Sequence, residues 1–140
     1  MDKKVLILCT GNSCRSIIAE ALVNSFVDGV EAYSSGVNPS GKVNPNAKKI
    51  LEKNGIWENK YHSKILDEII DINFDLVITV CDNANKTCPI FPKNVKIIHI
   101  PFKDPDGLNY GEFKKCYENI KDKLLPICKL KFLQIPYQKK

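Results

Sequence analysis

A chain of 140 residues, 44% of them apolar, is the size of one α/β domain and long enough to bury a core. Its two leading lysines and short apolar run lack the length and cleavage site of a secretory signal, and no run nears the about 20 apolar residues of a membrane helix, so a cytoplasmic setting and no membrane are expected. The formal charge of +5 is spread over scattered lysines, which offers no nucleic-acid surface and is compatible with an anionic substrate.

Residues 4–9 form a continuous apolar run bounded by lysines and by Thr10-Gly11-Asn12, the pattern of a strand buried on both faces of a parallel sheet. From Ser16 the apolar positions Ile17, Ile18, Ala21, Leu22 and Phe26 recur at helical spacing until Asp28-Gly29, which predicts a helix of about a dozen residues. Residues 30–34 read as a short second strand, 36–41 as a turn-rich loop, and 45–54 as a helix closed by Gly55. Another helix is expected over 64–72. Residues 74–80 and 95–100 repeat the buried-strand pattern, and 113–129 has the amphipathic spacing of a closing helix.

This alternation predicts an α/β fold: a doubly wound, four-stranded parallel sheet flanked by helices, in a single domain over 1–128, with its site at the carboxyl ends of the strands. Residues 129–140 read as a tail without an assigned role, whose Phe132, Leu133, Ile135 and Tyr137 are placed to dock on the body.

Six cysteines would make three structural disulfides, but a cytosolic chain of this length needs no staples, so catalytic or redox use is the better expectation for some of them. Cys14, Cys116 and Cys128 are read as structural, and His62 and His99 as packing or surface residues. No metal ligand set is expected. Of the 21 basic residues only Arg15 is arginine, and a lone arginine among lysines points to a site that needs a planar, bidentate fork.

That arginine lies in Cys9-Thr10-Gly11-Asn12-Ser13-Cys14-Arg15-Ser16, between a strand end and a helix start. Backbone N–H groups of such a loop, here residues 10–15, point inward, the helix N-terminus adds positive potential, and Arg15 can clamp two oxygens of a tetrahedral anion. A sulfur in that field is favoured as thiolate, which makes Cys9 the candidate nucleophile. Ser16 can donate a hydrogen bond to it, and Asn12 suits a left-handed backbone position.

The motif resembles the signature of the low-molecular-weight protein tyrosine phosphatases (the phosphotyrosine phosphatase I fold) and of the thioredoxin-coupled arsenate reductases that share it. The resemblance spans about residues 3–128 and takes in Ser34-Ser35-Gly36, Val43-Asn44-Pro45, the segment 81–89 and Asp104-Pro105. It implies that Asp104 is the general acid. It also implies that Asn12, Glu20 and Ser34 match residues that surround a potassium ion in some of these reductases, with Lys64 where an aspartate is usual; the two readings of Lys64 are an ammonium that replaces the ion and an exposed lysine unrelated to the site.

Between the two activities, the segment Thr79-Val80-Cys81-Asp82-Asn83-Ala84-Asn85-Lys86-Thr87-Cys88-Pro89 resembles the redox segment of the reductases. A phosphatase resolves its cysteinyl intermediate with water, whereas arsenate reduction requires two electrons, which a second thiol supplies by forming a disulfide. The expected reaction is a relay: Cys9 forms an arsenic adduct, Cys81 attacks Cys9 and releases arsenite, and Cys88 attacks Cys81. Seven residues of helix would hold Cys81 and Cys88 about 10.5 Å apart, beyond disulfide reach, so this segment must unwind. The implied partners are arsenate, with phosphate or sulfate competing, and thioredoxin as electron donor; no bound cofactor is expected. The alternatives are a phosphatase acting through Cys9, Arg15 and Asp104, and a non-catalytic oxyanion-binding domain.

Overall fold

A computed structural model describes residues 3–86, 88, 91 and 95–134. Strand β1 (Lys3–Cys9) leads into helix α1 (Arg15–Phe26), then β2 (Val30–Gly36), α2 (Pro45–Lys53), a 3-10 turn (Leu66–Ile69), β3 (Leu76–Thr79), α3 (Asp82–Lys86), β4 (Lys96–His99) and α4 (Tyr110–Gln134). The four strands form one parallel sheet in the order β2-β1-β3-β4. Because β2 and β3 flank β1 on opposite sides, the chain reverses its winding direction at the β1/β3 boundary. In sheets of this kind the crevice beyond the strand ends at that switch point is where ligands bind. Cys9 ends β1, and Cys81 follows β3 by two residues.

The central strands explain the continuous apolar runs. Val5, Leu6, Ile7 and Leu8 of β1 and Leu76, Val77 and Ile78 of β3 are all wholly buried, because helices cover both faces. Outer strand β4 is different: Ile97 is 45% exposed, as an edge position allows. Helix α1 buries a broad face, Ile17 to Val23, against the sheet and α4. Helix α2 begins at Pro45, with Asn44 capping the Asn46 N–H through its side chain, and Gly55 just past its end takes φ +71°.

Three boundaries differ from the sequence reading. Residues 64–72 have helical spacing but yield only the turn Leu66–Ile69, because Lys64 and Ile65 are extended against β2: the Gly36 N–H donates to the Lys64 carbonyl at 2.8 Å, and Ile65 bridges Gly36. Helix α4 starts three residues before 113 and runs to Gln134, so residues 129–134 are helix and not tail. Phe132 is buried there and Leu133 is exposed, while Ile135 and Tyr137 lie outside the described residues. Finally, α3 has five residues, so Cys88 lies beyond its end and not on a helix continuous with Cys81; Thr87 and Pro89 lie outside the described residues.

Candidate active site

Hydrogen-bond accounting shows how the loop between β1 and α1 is held. Its carbonyls are taken from outside: Val37 N donates to Cys9 O at 3.0 Å, Asn38 N to Thr10 O at 3.0 Å, Ser40 N to Gly11 O at 2.9 Å and Asn44 N to Ser13 O at 3.0 Å. A further bond comes from Ser63 Oγ to Gly11 O at 3.0 Å. With the carbonyls turned outward and secured, the N–H groups of the same peptides face the interior of the loop, which is the geometry of an anion nest. Gly36 makes the packing possible, since a Cβ there would sit 2.6 Å from Thr10 O.

Asn12 adopts φ +50° and is wholly buried, a conformation asparagine tolerates better than most residues. Its Nδ2 donates to Ser16 Oγ at 2.7 Å and Ser34 Oγ at 2.9 Å, and its Oδ1 accepts from Lys64 N at 2.8 Å. Every polar group of that side chain is used to fix the loop. Ser16 is buried beneath, and with its oxygen accepting from Asn12 its own proton remains for another acceptor.

Arg15 opens α1 with its guanidinium mostly buried. Nη1 donates to Phe102 O at 3.1 Å, Nη2 lies 3.4 Å from Asp104 Oδ2, and Nε is buried with no hydrogen-bond partner. A buried donor of a charged group left unmatched is costly unless a ligand completes it. Asp104 Oδ1 accepts from Asp106 N at 3.0 Å, which anchors the carboxylate at the rim, about half exposed. The Cys14 sulfur turns away, 3.8 Å from Asp106 Oδ1, and burial pushes its thiol up to about 12. It therefore offers the loop its backbone alone.

The two sulfurs at the strand ends meet. Cys9 and Cys81 are both buried and hydrogen-bonded to each other. Cys81 is held down to about 5, first by the hydrogen bond from the Cys9 thiol and then, against burial, by Thr10 and the Ala84 N–H. The Thr10 Oγ1 and Ala84 N contacts to its Sγ are 3.2 Å and 3.3 Å. Cys9 is pushed up by the same hydrogen bond and by burial, against the pull of Arg15. The hydrogen bond couples the two thiols, so that a charge on one sulfur is stabilised by the proton on the other, while Arg15 favours the charged form of both. Cys88 is half-buried, and burial raises its thiol. All six cysteines are unpaired.

The family model for low molecular weight phosphotyrosine protein phosphatase matches residues 4–130. The chain belongs to this family. It is similar to arsenate reductase 2 of Staphylococcus epidermidis, 41% identical over 123 residues covering 86% of this chain and 93% of that one. The arsenate reductase structure from Archaeoglobus fulgidus aligns with a TM-score of 0.74 at 28% identity, over 88% of this chain and 97% of that one. A thioredoxin-dependent arsenate reductase from Corynebacterium glutamicum gives a TM-score of 0.74 at 26% identity, over 95% of this chain and 63% of that one. Phosphatases and reductases share the fold.

Behind the loop lies a buried charge that the sequence reading placed on a helix. Lys64 is 6% exposed, and its Nζ donates to Ser34 O and His62 O, each at 3.0 Å. Ser34 Oγ donates to Glu20 Oε1 at 2.6 Å. Burial pushes Glu20 up to about 7 while Lys64 pulls it down, and burial lowers Lys64. Among the described residues no group of three or more His, Cys, Asp or Glu is arranged to hold a metal.

His99 is not an ordinary surface residue. It faces Thr79 across β3 and β4, with Nδ1 2.8 Å from Thr79 Oγ1, and its Nε2 lies 3.0 Å from Asp82 Oδ1 at the start of α3. Its place at the end of the strand beside β3 was the available signal, but pairing β4 with β3 requires the sheet order.

Proposed function

We propose that this protein reduces arsenate to arsenite with three thiols and is re-reduced by thioredoxin, as part of arsenic detoxification. The observation that carries the reading is the hydrogen bond between Cys9, at the mouth of the anion nest, and Cys81, whose sulfur lies 3.2 Å from Thr10 Oγ1 and accepts from Ala84 N. Hydrolysis of a phosphoester has no use for a second sulfur there, whereas a two-electron reduction does.

In this reading the N–H groups of Thr10, Gly11, Asn12, Ser13, Cys14 and Arg15 and the Arg15 guanidinium bind the oxyanion, for which phosphate and sulfate compete. Cys9 passes its proton to the neighbouring sulfur and attacks arsenic, and a hydroxyl leaves as water with a proton from Asp104. Cys81 releases that proton to solvent, its thiolate stabilised by the Thr10 hydroxyl and the Ala84 N–H, and attacks the Cys9 sulfur. The sulfur–arsenic bond breaks, its electron pair stays on arsenic, and arsenite departs from a Cys9–Cys81 disulfide. Cys88 then attacks Cys81, freeing Cys9, and thioredoxin reduces the Cys81–Cys88 disulfide. Ser16, buried beside the loop, donates to Cys9 when it becomes the leaving thiolate.

A cytoplasmic setting fits, since the relay starts from reduced thiols, and no helix among the described residues is long and apolar enough to cross a membrane. Lys64 takes the place of a potassium ion, with an ammonium bonded to two backbone carbonyls near Glu20. The second reading is phosphatase chemistry through Cys9, Arg15 and Asp104, favoured by the Asp104 carboxylate beside Arg15 at the rim. Incubation with arsenate, thioredoxin, thioredoxin reductase and NADPH decides between them: arsenate-dependent NADPH consumption supports reduction, and a flat trace beside rapid aryl-phosphate hydrolysis selects the phosphatase.

A further inference from the structure

In the relay read above, Cys88 beyond the end of α3 must meet Cys81 one residue before its start, and α3 is too short to persist without its ties to the body: Asp82–Lys86, with Ala84 buried and Asp82, Asn83 and Lys86 exposed. Polar ties hold its first turn. Cys81, one residue before the helix, accepts from Ala84 N at 3.3 Å in the position of an N-cap. Asn83 Nδ2 donates to Thr10 Oγ1 at 3.1 Å, and that hydroxyl is itself 3.2 Å from the Cys81 sulfur. Asp82 Oδ1 meets His99 Nε2 at 3.0 Å. Once Cys81 is in a disulfide its sulfur is a weak acceptor, so the cap loosens, whereas the Asn83–Thr10 bond and the His99 tie do not involve that sulfur and persist.

We propose that His99 is a positioning residue for the last thiol step: paired with Asp82, it helps to keep α3 wound in the resting enzyme and is a tie that must break before Cys88 attacks. The proposal rests on the relay described above. The step itself balances within the protein: Cys88 gives its proton to solvent, its thiolate bonds to the Cys81 sulfur, and the Cys81–Cys9 bond breaks with its electron pair leaving on Cys9. The Asp82 side chain is 80% exposed, so the tie is weak, and its removal is worth about two- to five-fold in rate.

The test is a single turnover of arsenate by the full chain, quenched at intervals and mapped by non-reducing peptide analysis, in the natural sequence, Asp82→Asn, His99→Gln and the double variant. The expected result is arsenite release at the natural rate, with Cys9–Cys81 converting to Cys81–Cys88 about two- to five-fold faster in each single variant and no faster in the double. Asp82→Glu, which keeps the carboxylate, restores the slow conversion, and amide exchange over residues 83–86 is faster in both single variants. Conversion that is unchanged or slower, or effects that add, would overturn the proposal. In a Cys88→Ser background the Cys9–Cys81 disulfide must still accumulate in all variants; its absence would refute the relay and not the tie.

Discussion

Replacing Cys81 by alanine removes the sulfur to which the Cys9 thiol donates. That hydrogen bond is the largest influence raising Cys9, ahead of burial, while Arg15 and the Thr10 backbone act in the opposite direction. A hydrogen bond to a charged acceptor is worth about 1.5–3 kcal/mol, or about one to two pKa units. The Cys9 titration should therefore fall by about that much in Cys81→Ala. The reciprocal change holds for Cys9→Ala, where Cys81 loses its largest stabilising donor and rises from about 5 by a similar amount. The assay is the rate of alkylation by iodoacetamide against pH, with the site assigned by peptide mapping. Background is low near neutrality, because burial pushes Cys14 and Cys128 to about 12 and Cys116 to about 11. A Cys9 midpoint that stays in place or moves up in Cys81→Ala would refute the hold of Cys81 on the Cys9 thiol.

Arg15→Lys keeps the charge but loses the fork that reaches Phe102 O and Asp104 while presenting Nε; kcat/KM for arsenate should fall by about a hundred- to a thousandfold, and near-normal turnover would contradict the clamp. Gly36→Ala sets a Cβ 2.6 Å from Thr10 O and 3.2 Å from Pro39 Cα, both backbone atoms, so urea unfolding should show a loss of about 1–3 kcal/mol together with weaker competition by phosphate. Glu20, raised from 4.5 to about 7, makes folding less favourable as pH rises through that window, by about 3 kcal/mol once both states are ionised. Stability relative to Glu20→Gln should thus decline between those pH values and be level below them, as unfolding midpoints across pH will show. Added potassium should leave the stability of the natural sequence unchanged, whereas Lys64→Asp should create a potassium response, visible as a shift in thermal midpoint.

The parts of the fold legible in the sequence are those where local pattern and tertiary demand agree. Residues 4–9 and 74–80 are apolar without alternation because both faces of β1 and β3 are covered, and the Pro45 and Gly55 punctuation brackets α2. The anion loop was legible because glycine, asparagine and the single arginine have few other reasons to lie at a strand-to-helix junction. Segment 64–72 misled because its apolar spacing fits a helix, while Lys64 is drawn straight to give its N–H to Asn12 and its ammonium to two carbonyls. Non-local hydrogen bonds of that kind leave no periodic trace. The meeting of Cys9 with Cys81, and of His99 with Asp82, depends on which strand ends are neighbours, and the order β2-β1-β3-β4 supplies that.

The relay is tested most directly by Cys88→Ser with arsenate and excess thioredoxin, thioredoxin reductase and NADPH. With Cys9 and Cys81 intact and touching, the first reduction needs nothing from Cys88, so the variant should release about one arsenite per protein and then stop, with Cys9 bonded to Cys81 in the non-reducing peptide map. Sustained turnover in that variant, or a burst that leaves Cys9 and Cys81 unbonded, would contradict the three-thiol account.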